Sequence, residues 1–246
     1  MDLICEERPS DSPFVETIWR SHSGGADPFV SMADGRSAMV IAKHQGRTSV
    51  TVRGPETKAT LADGLAGVEL FGIRFKPGTF LPNLPATLVM DRRDLDLPQA
   101  GSRSFWLSGS AWQIPSFENA DTFVERLVHD GLLVHDSAVS AMLRGEPVDL
   151  SVRTAQRRFL RATGLTRNTL YQIERARYAT VLLKQGASIL DTVAQAGYFD
   201  QPHLTRSLKH FIGLTPAQIS HPGRTESLSF LYKTASFEPA TIQAFS

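Results

Sequence analysis

The stretch GYFDQPHLTRSLKHFIGLTPAQI, residues 197–219, constrains the fold more than any other part of the chain. A helix that opens at Ser188 with a capping-box pattern is expected to end at Gly197. Asp200 can cap a second helix, and Pro202 fits its first turn because a missing N–H costs nothing there. Two helices joined by so tight a turn predict a helix-turn-helix unit.

The second helix of this unit separates apolar from basic side chains. At about 100° per residue its apolar residues share one narrow arc, which can pack against the rest of the domain. These residues are Leu204, Leu208 and Phe211. Arg206 lies nearly opposite, flanked by His203, Lys209 and His210. Such a helix fits the major groove of DNA, although a solvated charged face on a helical bundle is the alternative at this point.

A second basic helix, SVRTAQRRFLR at residues 151–161, repeats this design. Its apolar side is expected to hold Val152, Ala155 and Phe159, with Gln156 near the edge of that side. The opposite face carries four arginines, Arg153, Arg157, Arg158 and Arg161. The repetition favours nucleic-acid binding over a solvated face.

Helix signals also delimit the segments around the two basic helices. One helix is expected from Asp136 to Arg144, and a long helix, capped by Thr166 and ended by Gly186, should connect the two units. The inward side of the long helix would hold Leu170, Ile173, Ala176 and Leu183. The stretch EPVDL, residues 146–150, contains a proline and predicts an irregular loop.

Charge divides the chain near residue 150. Residues 1–150 hold 14 Lys/Arg and 20 Asp/Glu, a net of −6, whereas residues 151–224 hold 11 and 3, a net of +8. Residues 225–246 hold 1 and 2. A basic segment beside an acidic body suggests a polyanionic partner for the basic segment.

Three stretches of the helical region have a shared, specific spacing: LSVRTAQRRFLRATGLT (150–166), IERARYATVLL (173–183) and SILDTVAQAGYFDQPHLTRSLKHFIGLTPAQI (188–219). They resemble the AraC/XylS family of bacterial transcription regulators, over roughly residues 136–220. The resemblance implies an all-α domain of two helix-turn-helix units joined by a long helix. Its recognition helices, residues 151–163 and 201–211, would enter successive major grooves on one face of the duplex.

The resemblance also implies which residues contact DNA. Its base-reading candidates are Arg153, Gln156 and Arg157 in the first unit, and Gln201, His203 and Arg206 in the second. On the same two helices we expect further DNA contacts from Arg161, Thr205 and Lys209. Two departures from the family pattern stand out. Pro202 replaces a residue that is often polar, so that contact is absent here. The EPVDL loop replaces a tighter turn, which allows the first unit to dock differently.

The N-terminal part favours strands. AMVIAKH and TSVTVRG flank a turn signal at Gln45-Gly46, which predicts a β-hairpin. In GVELFGIRFKPG the apolar positions shift by one residue around Gly72, which suggests a β-bulge. A helix is expected within NADTFVERLVHDGLL, with Phe123, Val124 and Leu127 in its buried stripe.

The expected fold class is therefore α+β with two domains. FVETIWRSH, FVSMADGRSAMVI and ELFGIRFKPGTFLPNLP resemble the strand-rich sensor halves of some such regulators, which are often cupin-like β-barrels. We expect a β-rich, cupin-like domain over residues 1–120, for effector binding or dimerisation, and an all-α tandem helix-turn-helix domain over residues 121–224. Residues 225–246 form an aromatic C-terminal tail, either packed on the protein or disordered.

A pocket cannot be assigned from the aromatic residues of the N-terminal part. Five of them fit either a pocket lining or a plain core: Trp19, Phe71, Phe75, Phe80 and Trp106. A metal-dependent cupin enzyme would need a close His-x-His pair with a nearby carboxylate. The histidines of this part are too scattered for that: His22, His44, His129 and His135. We expect no enzyme and no cofactor; an architectural DNA binder without an effector is the other alternative.

Partners and location follow from the same residues. Double-stranded DNA is the expected partner, with RNA polymerase, a small-molecule effector and a second copy of the chain as further candidates. The acidic start MDLICEERPSD, the single Cys5 and the lack of a long apolar run predict a cytoplasmic protein without a membrane partner. Residues 136–224 are expected to fold alone and to bind duplex DNA with strong salt dependence.

Overall fold

The structure is a computed structural model that describes residues 3–221, except residues 24, 26, 27, 65, 92 and 93. The tail expected over residues 225–246 lies outside the described residues. A strand-rich N-terminal region is followed by a helical C-terminal region, as the expected fold class requires. The cupin-like character of the N-terminal region stays a prediction.

The strands form one large antiparallel sheet and three small ones. In chain order they are β1 (Leu3–Arg8), β2 (Val15–Ser23), β3 (Phe29–Ser31), β4 (Ala38–His44), β5 (Arg47–Arg53), β6 (Thr60–Ala62), β7 (Glu69–Phe75), β8 (Thr79–Phe80), β9 (Leu95–Leu97), β10 (Gln99–Gly101), β11 (Ser104–Leu107), β12 (Ser110–Gln113) and β13 (Val134–His135). The six-stranded sheet has the order β1-β2-β7-β4-β5-β9. The smaller sheets are β10-β11-β12, β13-β8 and β3-β6.

The hairpin expected at residues 38–53 is confirmed. β4 and β5 pair antiparallel, with His44 opposite Arg47 across a two-residue turn. Gln45 and Gly46 both have positive φ, 50° and 77°. Two consecutive positive φ values match the twist of a tight hairpin, and Gly46 supplies the second at little cost.

Gly72 has a packing role that the sequence did not show. The ladders of β7 with both neighbouring strands run through Gly72 without a break, so the bulge expected there is wrong. The Trp19 indole lies only 2.2 Å from where a Cβ on Gly72 would be, which leaves no room for a side chain. The apolar pattern shifts at this point because both faces of β7 are covered. Leu70 packs in the Trp19 cluster, and Ile73 packs in the main core.

The helices are α1 (Ala120–His129), α2 (Ser137–Leu143), α3 (Val152–Thr163), α4 (Arg167–Lys184), α5 (Ile189–Gln195), α6 (Gln201–Phe211) and α7 (Pro216–Ser220). Local chemistry explains where the long helix α4 begins: the Thr166 hydroxyl accepts a hydrogen bond from the Thr169 amide at 3.0 Å. All four residues expected on its inward side are buried, Leu170, Ile173, Ala176 and Leu183. Among the described residues, no helix is long and apolar enough to cross a bilayer.

The main apolar core lies between the six-stranded sheet, the sheet β10-β11-β12 and α1. Phe123 of α1 meets Phe105 and Trp112 edge to face, at centroid distances of 6.2 and 6.0 Å. Val124 and Leu127 are fully buried in the same core, as expected. α1 therefore packs with the strands, and a division of the chain at residue 121 separates this helix from the residues it contacts.

Candidate DNA-binding surface

The first basic helix, α3, packs mainly through its C-terminal half, although Ala155 also contacts the core, as expected. Ser151 caps it by accepting from the Thr154 amide at 3.3 Å. Phe159 and Ala162 are buried at 2% exposure each. Val152 is 74% exposed, so its expected place on the packed side is wrong. It stands in the first turn of α3, where none of the described side chains is buried.

The outward face of α3 carries three of the residues implied by the family resemblance. Arg153, Gln156 and Arg157 are all exposed, and their spacing places them on one side of the helix. Gln156, expected near the edge of the packed side, is therefore accessible. Leu160 continues the same side with 46% exposure. This face offers two guanidinium groups and one amide to a partner.

Two other arginines of α3 are engaged by the protein itself. Arg158 donates two hydrogen bonds of 2.8 Å to the carboxylate of Asp136, which also caps α2. The Arg161 guanidinium lies 5.6 Å from the centre of the Phe80 ring, within cation–π range. Because Phe80 belongs to β8, Arg161 faces the strand-rich region, and the family resemblance did not indicate this contact.

The second helix pair, α5 and α6, has a compact turn. Gly197 adopts a φ of 66°, a conformation that glycine reaches without strain. Asp200 caps α6 by accepting from the His203 amide at 2.7 Å, and Pro202 stands in the first turn, as expected. Residues 196–200 separate α5 from α6, whereas the longer, irregular segment 144–151 separates α2 from α3.

α6 divides its faces as the helical spacing predicts. Leu204 and Leu208 have no exposed surface, and they anchor the helix on α4. On the other side four polar residues are exposed, Gln201, Arg206, Lys209 and His210, while Thr205 is half-buried at the margin. Among the described residues, no carboxylate pairs with Arg206 or Lys209. Both cations are therefore available to an outside partner.

His203 lies in an internal cluster rather than on the outward face. Its Nε2 is 3.4 Å from Nη2 of Arg175, and its ring meets Tyr198 edge to face at 5.1 Å. The Arg175 guanidinium lies 4.2 Å from the centre of the Tyr198 ring. In the sequence analysis Arg175 is one of the 11 basic residues of the basic segment. Its stacking on Tyr198 could not be predicted, because no pattern of neighbouring residues indicates it.

Two exposed apolar residues of this region were not singled out from the sequence. Phe199 is 89% exposed in the turn before α6, and Leu190 is 72% exposed on α5. Phe199 lies between the buried Tyr198 and the capping residue Asp200. In this tight turn its ring faces solvent instead of the core. The position of Phe199 in the GYFD turn between two helices was the only sequence feature that could have indicated its exposure.

A cavity of about 670 Å³ opens between the six-stranded sheet and the segments around β10 and β12. Its apolar lining includes Ile41, Phe71 and Phe117. Arg20, which also lines it, lies 4.5 Å from the Phe117 ring centre and pairs with Glu6 at 2.6 Å. Among the residues that the structure describes, no three His, Cys, Asp or Glu are grouped to hold a metal ion.

The five aromatic residues considered for a pocket lie in different parts of the structure, and one of them lines the cavity. Phe71 lines the cavity. Trp19 packs on the opposite face of the sheet, and Phe75 is part of the main core. Phe80 lies under Arg161 among the helices, and Trp106 is 46% exposed. Successive side chains of β2 and β7 point to opposite faces of the sheet, which separates Trp19 from Phe71 and Phe75. The sequence did not show which of the two faces borders the cavity.

Comparison with family models agrees with this geometry. Residues 146–221 match a family model described as a helix-turn-helix domain, of the AraC type. The match covers α3 to α7, including both exposed basic faces, and defines a DNA-binding domain. The chain therefore carries a helix-turn-helix domain of the AraC type behind a strand-rich region, and this domain supports a role in DNA-binding transcription regulation. Comparisons with curated proteins and with solved structures gave no match.

Proposed function

We propose that the chain regulates transcription by reading a specific DNA sequence with two recognition helices, α3 and α6, in successive major grooves. The observation that carries this proposal is the outward face of α6. Arg206 and Lys209 are exposed there without a carboxylate partner in the described part of the chain, while Leu204 fixes the opposite side. A guanidinium held in this way can bond a guanine edge with two hydrogen bonds.

The residues proposed to contact DNA differ in how freely they can do so. Six extend outward from the two helices: Arg153, Gln156, Arg157, Gln201, Arg206 and Lys209. Thr205 stands at the margin of the α6 face. Arg161 is exposed but lies over the Phe80 ring, and His203 would first have to leave Arg175. Phosphate contacts by the outer cations would position the helices, and base contacts would give the specificity.

Selection from a random duplex library with the full-length chain tests this proposal. We expect enrichment of one sequence with two conserved blocks, about one helical turn apart if both helices enter the same face of the duplex. Equal recovery of all sequences would instead favour the architectural DNA binder. Enrichment of a single block would show that only one helix reads bases.

We propose further that the 670 Å³ cavity holds a small-molecule effector that controls DNA binding. It combines an apolar lining with charged groups at its border, a usual arrangement for small-molecule sites. Thermal shift measurements with a compound panel can test this, with Thr48→Trp as a variant that fills the lining. A compound that raises the melting temperature of the wild type should not raise that of Thr48→Trp. Equal shifts in both proteins would exclude this cavity.

The remaining expectations are proposals of the same kind. We infer that the chain is not an enzyme, because the one domain that can be assigned binds DNA. We also propose a cytoplasmic location, because a regulator of this kind must reach its DNA target. RNA polymerase and a second copy of the chain stay candidate partners of such a regulator.

A further inference from the structure

Several contacts join the strand-rich region to the helical region, and one of them is made by residues 29–36, which we name the junction segment. Met32 packs in the same apolar cluster as Leu204 and Leu208 of α6. The next residue, Ala33, packs instead in the cluster of α2, α3 and the start of α4. Consecutive residues of the junction segment therefore complete the cores of both helix pairs.

Two backbone hydrogen bonds attach the strand-rich region to the end of α6, one of them from the junction segment. The Ala33 amide donates to the carbonyl of Phe211 at 2.7 Å, and the Ala59 amide donates to the carbonyl of His210 at 2.8 Å. The last carbonyls of a helix have no partner within the helix, so they need outside donors when covered. Here the strand-rich region supplies two of them.

Charged side chains of the junction segment hold the middle of α4. Asp34 accepts from Arg177 at 3.0 Å and also pairs with Arg74 of β7. Arg36 pairs with Glu174 and, at 2.9 Å, with Glu16 of β2. Arg177 and Glu174 lie three residues apart on α4, and the side chain of each is only 4% exposed.

The carboxylate of Asp34 is held in its charged form. Burial alone would raise the pKa of Asp34, but the three guanidinium groups around it hold that pKa well below its usual range. The stabilisation from Asp34 is therefore complete above the ordinary pKa of an aspartate and is lost only as the pH falls below it. At neutral pH the Asp34 carboxylate, which pairs with Arg74 of the sheet and Arg177 of α4, is therefore charged.

We propose that Asp34 is a positioning residue for DNA recognition. Through Arg177 it fixes the middle of α4, the helix that connects α3 and α6, while the junction segment holds the end of α6. The strand-rich region thereby sets the angle and spacing of the two recognition helices. This inference rests on the proposed function, because it concerns how two reading helices reach one site at once.

The test compares Asp34→Asn with the wild-type full chain on the duplex that the wild type enriches from a random library. Asparagine keeps the shape of the side chain and removes its charge. We expect affinity for the complete duplex to fall by roughly tenfold or more, because two linked contacts lose their advantage when their geometry is not fixed. Affinity for duplexes with either block scrambled should change little.

A spacing series gives a readout that a general loss of stability would not move. Inserting base pairs between the two blocks should weaken wild-type binding sharply and Asp34→Asn binding much less. Asp63→Asn is the matched control, because Asp63 is an exposed carboxylate of the same region and the charge change is identical. We expect this control to behave as the wild type.

If Asp34→Asn does not fold, Arg177→Met removes the other partner of the same ion pair and can be tested in its place. Asp34→Asn or Arg177→Met with wild-type spacing discrimination and affinity would overturn the proposal. Unfolding of both variants at 25 °C would also overturn it, since the network would then only stabilise the fold. A wild-type chain that enriches no sequence would contradict the proposed function itself, which is a separate outcome.

Discussion

The two recognition-type helices α3 and α6 both carry basic residues but differ in the fraction of their arginines and lysines that is free: two of four on α3, Arg153 and Arg157, and both on α6. In the second pair, Arg206 and Lys209 extend outward from α6. In the first pair, Arg158 is bound to Asp136 and Arg161 lies over Phe80. A count of basic residues therefore overstates the DNA-binding capacity of α3. It also overstates that of the whole segment, because Arg175 and Arg177 are buried.

The difference follows from what surrounds each pair. α3 lies close to β8 and to the cap of α2, so its C-terminal half meets acidic and aromatic groups of the same chain. α6 contacts the strand-rich region through its last carbonyls, which leaves its first two turns open. We infer that α6 contributes more to sequence-specific affinity than α3, and four predictions test this comparison.

The largest effect is expected from Leu204→Ala. Leu204 has no exposed surface, so the deletion should leave a cavity and lower the free energy of unfolding by about 2–5 kcal/mol. Leu160→Ala is the matched change in α3, where the side chain is 46% exposed, and should cost less than about 1 kcal/mol. Urea titration measures both. Similar losses would mean that α3 packs as tightly as α6.

Arg206→Ala should weaken binding to the selected duplex by about 1–3 kcal/mol. Binding to random duplex should change far less, and the melting temperature should stay as in the wild type because Arg206 is exposed. Arg161→Ala is the control from the first pair and should reduce specific binding little. Parallel losses on selected and random duplex would assign Arg206 to phosphate contact, and an early melting transition would show that it supports the fold.

The helix caps should contribute equally in the two pairs, which separates local stability from DNA contact. Asp200→Ala and Ser151→Ala each remove a side chain that accepts from an amide in the first turn of a helix, α6 and α3 respectively. Each should lower the free energy of unfolding by about 0.5–2 kcal/mol. A cap effect confined to one helix would indicate that the other is held by packing alone.

The smallest effect is expected on the salt dependence of DNA binding. Lys209→Ala should reduce the slope of the logarithm of affinity against the logarithm of salt concentration by about one. Arg158→Ala should leave the slope nearly unchanged, because Asp136 already neutralises this arginine. Titrations on random duplex at several salt concentrations compare the two. An equal decrease in both variants would show that Arg158 leaves Asp136 to bind phosphate.

Features set by local chemistry could be predicted from the sequence. The boundaries of α4 follow from Thr166 and Gly186, and the start of α6 follows from Asp200 and Pro202. The faces of α6 follow from helical spacing, which placed Leu204 inside correctly. These predictions succeeded because caps, turns and periodicity involve residues within a few positions of one another.

Features that depend on distant parts of the chain could not be predicted. Arg177 pairs with Asp34, 143 positions away, and no local pattern distinguishes it from a solvated arginine. Gly72 looked like a bulge because the sequence does not show that Trp19 packs directly on it. Val152 was predicted on the packed side because helical spacing shows which residues share a face, but not how far along α3 that face is covered; Val152 is in fact exposed.

The hydrogen bonds that attach the strand-rich region to α6 have a consequence for measurement. The amides of Ala33 and Ala59 can exchange with solvent deuterium only when their bonds to Phe211 and His210 break. Their exchange rates therefore report how often the two regions separate, without any added label. The same two signals distinguish local opening at α6 from global unfolding, because the core amides of β4 and β7 exchange only in the latter.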